Sequence, residues 1–143
     1  MTLSEYFKSA KGIGVLATAN ASGEVDGAIY ARPHFLDEQT VAFIMADRLS
    51  HRNLQSNPHA VYLFIEHGGG YKGKRLHLTK VAEDTDLQKI QAIRRRPLPA
   101  ESGIEGESRY LVHFRVDRVR MLVGDGQEFP QMSTLRRSCV FES

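Results

Sequence analysis

One short stretch, RLSHRNL (residues 48–54), concentrates side chains able to hold an anion. Arg48, Ser50, His51, Arg52 and Asn53 set five hydrogen-bond donors within six residues, between an apolar run ending at Met45 and another beginning at Ala60. A plain connection between strands needs no such concentration. A short helix starting at Ser50 would direct unpaired backbone N–H groups toward its own N-terminus. With a hydroxyl and guanidinium groups beside them, these form a cradle for a phosphate, each charge-assisted bond contributing about 1.5–3 kcal/mol. The adjacent uncharged run, residues 41–45 (VAFIM), offers support for a flat apolar ligand. A phosphate at one end and an apolar plane at the other describe a phosphorylated ring cofactor. The same residues admit a structural reading: Ser50 as an N-cap, His51 and Arg52 as solvated surface, Asn57-Pro58 as a breaker. Residue types alone leave both readings open.

The elements that must position this segment are mostly strands. Thr2 and Glu5 have the spacing of a capping box, predicting a short helix over residues 3–10 that ends at Gly12 and Gly14. Residues 13–19 alternate as a strand, 20–23 (NASG) read as a turn, and 25–35 read as one long second strand. A third strand covers 40–45. Residues 60–66 are β-branched and aromatic and apolar on both faces, which predicts a central strand. His67-Gly68-Gly69-Gly70 turns the chain into a strand over 76–81. Asp84 or Thr85 then caps a helix running to about Arg95, with Leu87, Ile90 and Ile93 as its apolar stripe. Residues 97–108 read as an exposed link, 110–123 as the last strand, and 124–143 as a tail or partner-wrapping segment. Six strands at hairpin spacing predict a mainly β, single-domain chain (residues 1–143) folded as a small six-stranded antiparallel barrel.

Composition narrows the function classes. A 143-residue chain with 41% hydrophobic and 25% charged residues is an ordinary globular domain. No run approaches the ~20 apolar residues that cross a bilayer, and MTLSEYFKSAKGIG lacks the pattern of a signal peptide. One cysteine, Cys139, cannot form an internal disulfide, which with the rest points to the cytosol. A net charge of +2, with the basic run Arg94-Arg95-Arg96 placed at a helix end, argues against nucleic acid. The six histidines have no tight metal spacing, so no metal site is expected. The glycine run 68–70 lacks the Gly-Lys-Ser/Thr ending of a phosphate loop and sits between strands, so a hairpin is expected there.

Three segments together, GVLATANASGEVDGAIYARPHF, TVAFIMADRLSHRNLQSNPHAVYLF and YKGKRLHLTKVAE, resemble the pyridoxamine 5'-phosphate oxidase-like, FMN-binding split-barrel family over residues 12–83. The resemblance implies a split β-barrel with FMN as cofactor, bound at the interface of a homodimer. It implies that Tyr30, Ala31, Arg32 and Pro33 line the flavin, Arg32 sending its charge to the phosphate, and that Ile44 and Met45 meet the ring. Ser50, His51, Arg52 and Asn53 fall on the family's phosphate grip, although a lysine expected there is absent. Lys74 and Arg75 fall near the position supplied by the second subunit. The resemblance implies a flavin-dependent oxidoreductase of unassigned substrate, with catalytic residues unassigned. Strand alternation puts Tyr30 and His34 on one face with Arg32, and these two with Tyr71 of the glycine-rich hairpin are candidates for orienting a substrate, barrel packing or a rim being their structural reading. A non-enzymatic electron carrier or redox sensor, or a barrel holding haem or a deazaflavin, are the alternatives. The final segment, GDGQEFPQMSTLRRSCVFES, does not display the Arg-x-His substrate signature of the name-giving oxidase.

Overall fold

In the computed structural model, residues 1–93, 109–124, 126 and 127 are described. Three helices, α1 (Leu3–Ser9), α2 (Leu49–Ser56) and α3 (Leu87–Ile93), accompany seven strands. The strands are β1 (Gly12–Ala19), β2 (Val25–Ile29), β3 (His34–Phe35), β4 (Thr40–Ala46), β5 (His59–Glu66), β6 (Gly73–Asp84) and β7 (Arg109–Met121). All pairings are antiparallel, in the order β2-β1-β5-β6-β7-β4-β3.

That order dictates the shape. β2 and β3 are neighbours in sequence yet lie at opposite ends of the sheet. Five Cα steps from Ile29 to His34 reach at most about 18 Å, whereas the edges of a flat seven-stranded sheet would stand about 29 Å apart. The sheet must therefore curl until its edges meet, and residues 30–33 cross the join. Pro33, which has no N–H to give a ladder, sits in this crossing. The single long strand expected over 25–35 is thus two strands broken by the crossing, and the count is seven rather than six.

Alternation sorts side chains into an inner and an outer face. Val41, Phe43 and Met45 of β4, Tyr62 and Phe64 of β5, Leu76 and Leu78 of β6, and Val112 and Phe114 of β7 fill the barrel. Leu3 and Phe7 of α1 and Leu54 of α2 join the same core. The capping box expected at Thr2 and Glu5 is present, with both reciprocal bonds formed. α3 lies on the outer face, where Ile90 packs with Ala42 and Leu111. Its N-terminal cap is Asp86, whose Oδ1 accepts from Gln88 N at 2.9 Å, rather than Asp84 or Thr85. β5 is central, as its apolar pattern predicts. The glycine run forms the β5–β6 hairpin; Gly68, Gly69 and Gly70 all have positive φ, and Tyr71 joins them at φ 54°. The expected end of the helix near Arg95, the link over 97–108, nearly all of the 124–143 segment and Cys139 lie outside the described residues.

Candidate functional site

The barrel's split lies between the crossing segment and β4. β3 pairs with β4 only at His34–Ala42 and Phe35–Val41, so residues 43–46 have no strand partner on that side among those described. Tyr30 approaches this open edge, its ring edge-on to Phe43 at 5.9 Å. The crossing is held from β1 and β5: Tyr30 N donates to Gly14 O, and Tyr62 Oη donates to Tyr30 O at 3.1 Å. Gly14 is required for this, because a Cβ there would stand 1.9 Å from the Tyr62 hydroxyl. β4 runs directly into α2, and the side chain of Ser50 hydrogen-bonds Tyr30. Residues 30–33, the open edge of β4 and the first turn of α2 therefore adjoin one another, and the space they border is the candidate groove.

The donors of residues 48–53 divide by helical geometry. α2 begins at Leu49 with Arg48 as N-cap, two residues before the expected Ser50, and the Arg48 side chain makes no capping hydrogen bond. Arg48 and Arg52 are exposed, while Ser50 is buried against Tyr30. His51 and Asn53 turn into the molecule. Asn53 Nδ2 donates to Thr18 Oγ1 at 3.0 Å. The His51 ring stacks on Tyr110 with centroids 3.8 Å apart, and its Nε2 lies 3.1 Å from Glu83 Oε1. His51, expected as surface or grip, is thus 6% exposed and ties α2 to β6.

The remaining expected residues are also placed. Arg32 Nη1 donates to Phe7 O at 2.8 Å and Ala10 O at 2.9 Å, capping the C-terminal carbonyls of α1. The Met45 side chain is fully buried in the core and Ile44 packs into the outer cluster with α3, so β4 presents its backbone edge to the groove. Lys74 Nζ sits 4.4 Å above the Tyr6 ring. Arg75 Nε donates to Met121 O at 2.9 Å and its Nη2 donates to Gly124 O, which fixes the guanidinium on the outer face of β6. His34 and Arg32 line a cleft of about 400 Å³ with Phe7, Lys8, Phe35 and Ile93. Residues 30–33 are not strand, so alternation does not place Tyr30 with them; its ring packs on Phe43 instead of lining this cleft. Tyr71 is 79% exposed at the hairpin tip.

Electrostatics distinguish the two sides of α2. Burial pushes the Tyr30 phenol up, against the hydrogen bond from Ser50 and the charge of Arg48. Burial also opposes the charge of Glu83, but hydrogen bonds from Lys80, Gln55 and His51 outweigh it and hold the carboxyl at about 2. Gly14, Phe43 and Tyr62 were not among the expected site residues, and Arg48 was expected only as one donor of the 48–53 cluster. The first three act through register and ring packing across the sheet, which has no local signature; Arg48 was legible as a cation at a helix start. Among the described residues no cluster of His, Cys, Asp or Glu could hold a metal ion, and no helix is long and apolar enough to cross a membrane.

No family model matches the chain, and no curated protein does. Solved structures do. An FMN-binding protein from Syntrophomonas wolfei aligns at 13% identity with a TM-score of 0.67, over 85% of this chain and 84% of the other. A protein from Lactobacillus delbrueckii, provisionally assigned as a pyridoxamine 5'-phosphate oxidase, aligns at 15% identity and a TM-score of 0.60, over 81% and 88%. An F420 reductase aligns at 17% identity and a TM-score of 0.61, over 83% and 97%. With seven antiparallel strands closed by a four-residue crossing and these neighbours, the chain has the split-barrel fold of the pyridoxamine 5'-phosphate oxidase-like proteins.

Proposed function

We propose that the protein binds FMN in the groove of the split and acts in the cytosol as a homodimeric flavin-dependent oxidoreductase on a small molecule. The observation that carries this reading is the first turn of α2. Its N-cap Arg48 makes no side-chain capping bond, Arg48 and Arg52 flank it, and the buried pair Ser50 and Tyr30 backs it. Such a turn suits a phosphate through its N–H groups and dipole. Ser50 and Arg52 would hold the phosphate with Arg48. Tyr30, Ala31, Pro33 and the backbone edge at Ile44 and Met45 would border the ring, and Arg32 would set the crossing by its hold on α1. His51 and Asn53 would serve the same site by fixing the helix. Bound FMN supplies the redox chemistry; the chain's own work is to bind, orient and shield it. The cleft beside Arg32 and His34 leaves room for a substrate, which favours an enzyme over a carrier.

A second copy is favoured by the bare outer face of β2, β1 and β5. Across it Ile29, Val15 and Leu63 form one row, and Ile13 and Ile65 form another. Val25 is 81% exposed, Ile29 72%, Ile13 50% and Ile65 40%. An apolar patch of this kind, covered by none of the described helices, is the mark of an interface. Lys74 and Arg75 of the second copy then lie at the border of the shared site.

Purified protein should be yellow and release FMN on denaturation, and FMN should bind more tightly than riboflavin. It should run as a dimer, and Ile65→Asp should leave a monomer that holds FMN poorly. A colourless protein whose spectrum and fluorescence ignore added FMN overturns the reading. A Soret band, or binding of a deazaflavin in preference to FMN, transfers the groove to that ligand. Equal binding of riboflavin and FMN removes α2 from the phosphate.

A further inference from the structure

The outer face changes character where β5 meets β6. The row Ile29, Val15, Leu63 continues into Arg75 and Arg120, and the row Gly27, Ala17, Val61 continues into His77 and Arg118. Three guanidinium groups and an imidazole thus occupy adjoining positions on two strands. Like charges directly opposite one another in an antiparallel ladder repel, so Arg75 facing Arg120 is an arrangement that an anion would relieve. Arg120 Nε donates to His77 Nε2 at 3.2 Å. A guanidinium can only donate, so this nitrogen is unprotonated and His77 adds no charge of its own. Burial first, and then Arg118, Arg120 and Arg75, hold the His77 imidazole below its ordinary range. Asp117, which pulls the other way, is engaged by Thr79 and by Arg115 Nε at 2.7 Å. Arg118 Nε is buried and has no hydrogen-bond partner among the described residues. Arg75, pinned by Met121 O and Gly124 O, adds a fixed charge behind the pair.

We propose that this face of β6 and β7 is a binding site for an oxyanion, the phosphate or carboxylate group of a small molecule, gripped by Arg118 and Arg120 beside His77. The site rests on register and charge, and it adjoins the face proposed for the second copy at Leu63 and Arg75. Val61 and Leu63 border it, so a ligand with an apolar body next to its anionic group fits the row better than a bare ion. A phosphate there could belong to a separate small molecule or to the cofactor of a facing copy, and the two sources are separable by experiment.

The ring signals of His77 in the NMR spectrum report on the site directly. Inorganic phosphate, FMN and riboflavin are titrated into the full chain at constant ionic strength set with chloride. A saturable shift with phosphate supports the site and points to a separate phosphorylated ligand. A shift with FMN, absent with riboflavin and with phosphate, supports the site and assigns it to the cofactor. Arg118→Gln should weaken the response on the order of ten- to a hundred-fold. Should that variant fail to fold, Arg120→Gln tests the same pair and should do likewise. No saturable shift with any probe, or a shift unchanged in the folded variants, overturns the proposal. FMN binding that proceeds while the His77 signals stay unmoved by every probe, phosphate included, defeats this site and leaves the flavin reading intact. Saturation by phosphate without any FMN binding does the reverse.

Discussion

Helices α2 and α3 are of nearly equal length and both lie against the sheet, but they are held there by different chemistry. α3 is attached by an apolar contact, Ile90 against Ala42 and Leu111. α2 has one leucine in the core and is otherwise socketed by polar groups: Asn53 on Thr18, His51 and Gln55 on Glu83, Ser50 on Tyr30. Apolar attachment is tolerant of rotation and sliding, since its strength follows area and not direction. A set of hydrogen bonds to two different strands and the crossing segment fixes a helix in far more of its degrees of freedom. That difference suits a helix whose first turn must be aimed. α3 covers the sheet, whereas α2 is held in register with the groove.

The largest expected effect falls on the apolar attachment. Leu111→Ala should cost about 2–5 kcal/mol of stability through lost burial and the cavity left beneath Ile90. Denaturant unfolding measures it. Because the contact lies on the opposite face of β4 and β7 from the core, the folded variant should bind FMN as the parent does. A variant that folds well yet loses FMN would show that α3 takes part in the groove, and the distinction between the helices would fail.

The reverse pattern is expected on α2. Arg48→Gln and Arg52→Gln alter exposed side chains, so stability should stay within about 0.5 kcal/mol. If the turn grips a phosphate, each should weaken FMN by about 1.5–3 kcal/mol, roughly ten- to a hundred-fold, and leave riboflavin binding unchanged. Fluorescence titration with the two flavins separates the outcomes. Equal losses for FMN and riboflavin would place these cations on the ring instead.

Much of this architecture was legible in the chain. The Thr2–Glu5 capping box, the doubly apolar 60–66 segment and the glycine hairpin are local signals, and each produced its element. The break in the 25–35 segment was not legible, because nothing in YARPHF marks where a strand leaves one sheet edge for the other. Only the closure of the barrel demands it. The donors of α2 were legible as a group but not in their division. Helical periodicity sets Ser50, His51, Asn53 and Leu54 inward and Arg52 outward, and a start at Arg48 rather than Ser50 decides that assignment. Arg32 shows a different limit: its cation was evident, but its engagement with the α1 carbonyls depends on a helix some twenty residues away.

The smallest effect concerns acid. Glu83 receives Lys80, Gln55 and His51, and its carboxyl is held at about 2 against an ordinary value of 4.5. A carboxylate whose pKa is depressed by folding contributes stability that is fully present above about pH 4.5 and is lost as the pH falls toward 2. Its side chain is 25% exposed and faces water at the end of β6, so after allowance for solvent screening the contribution is about 1–2 kcal/mol. Glu83→Gln should therefore lower stability by that amount at pH 7. It should also flatten the stability curve between pH 4.5 and 2 relative to the parent. Leu111→Ala removes no titrating group and leaves the Lys89–Asp84 pair at 2.7 Å in place, so its curve should run parallel to the parent's over the same window. Unfolding midpoints measured at half-unit pH steps on the three proteins make the comparison. If Glu83→Gln tracks the parent down to pH 2, the Glu83 clamp on α2 adds nothing to stability, and the helix is held by Leu54 and by Asn53, Ser50 and the His51 stack alone.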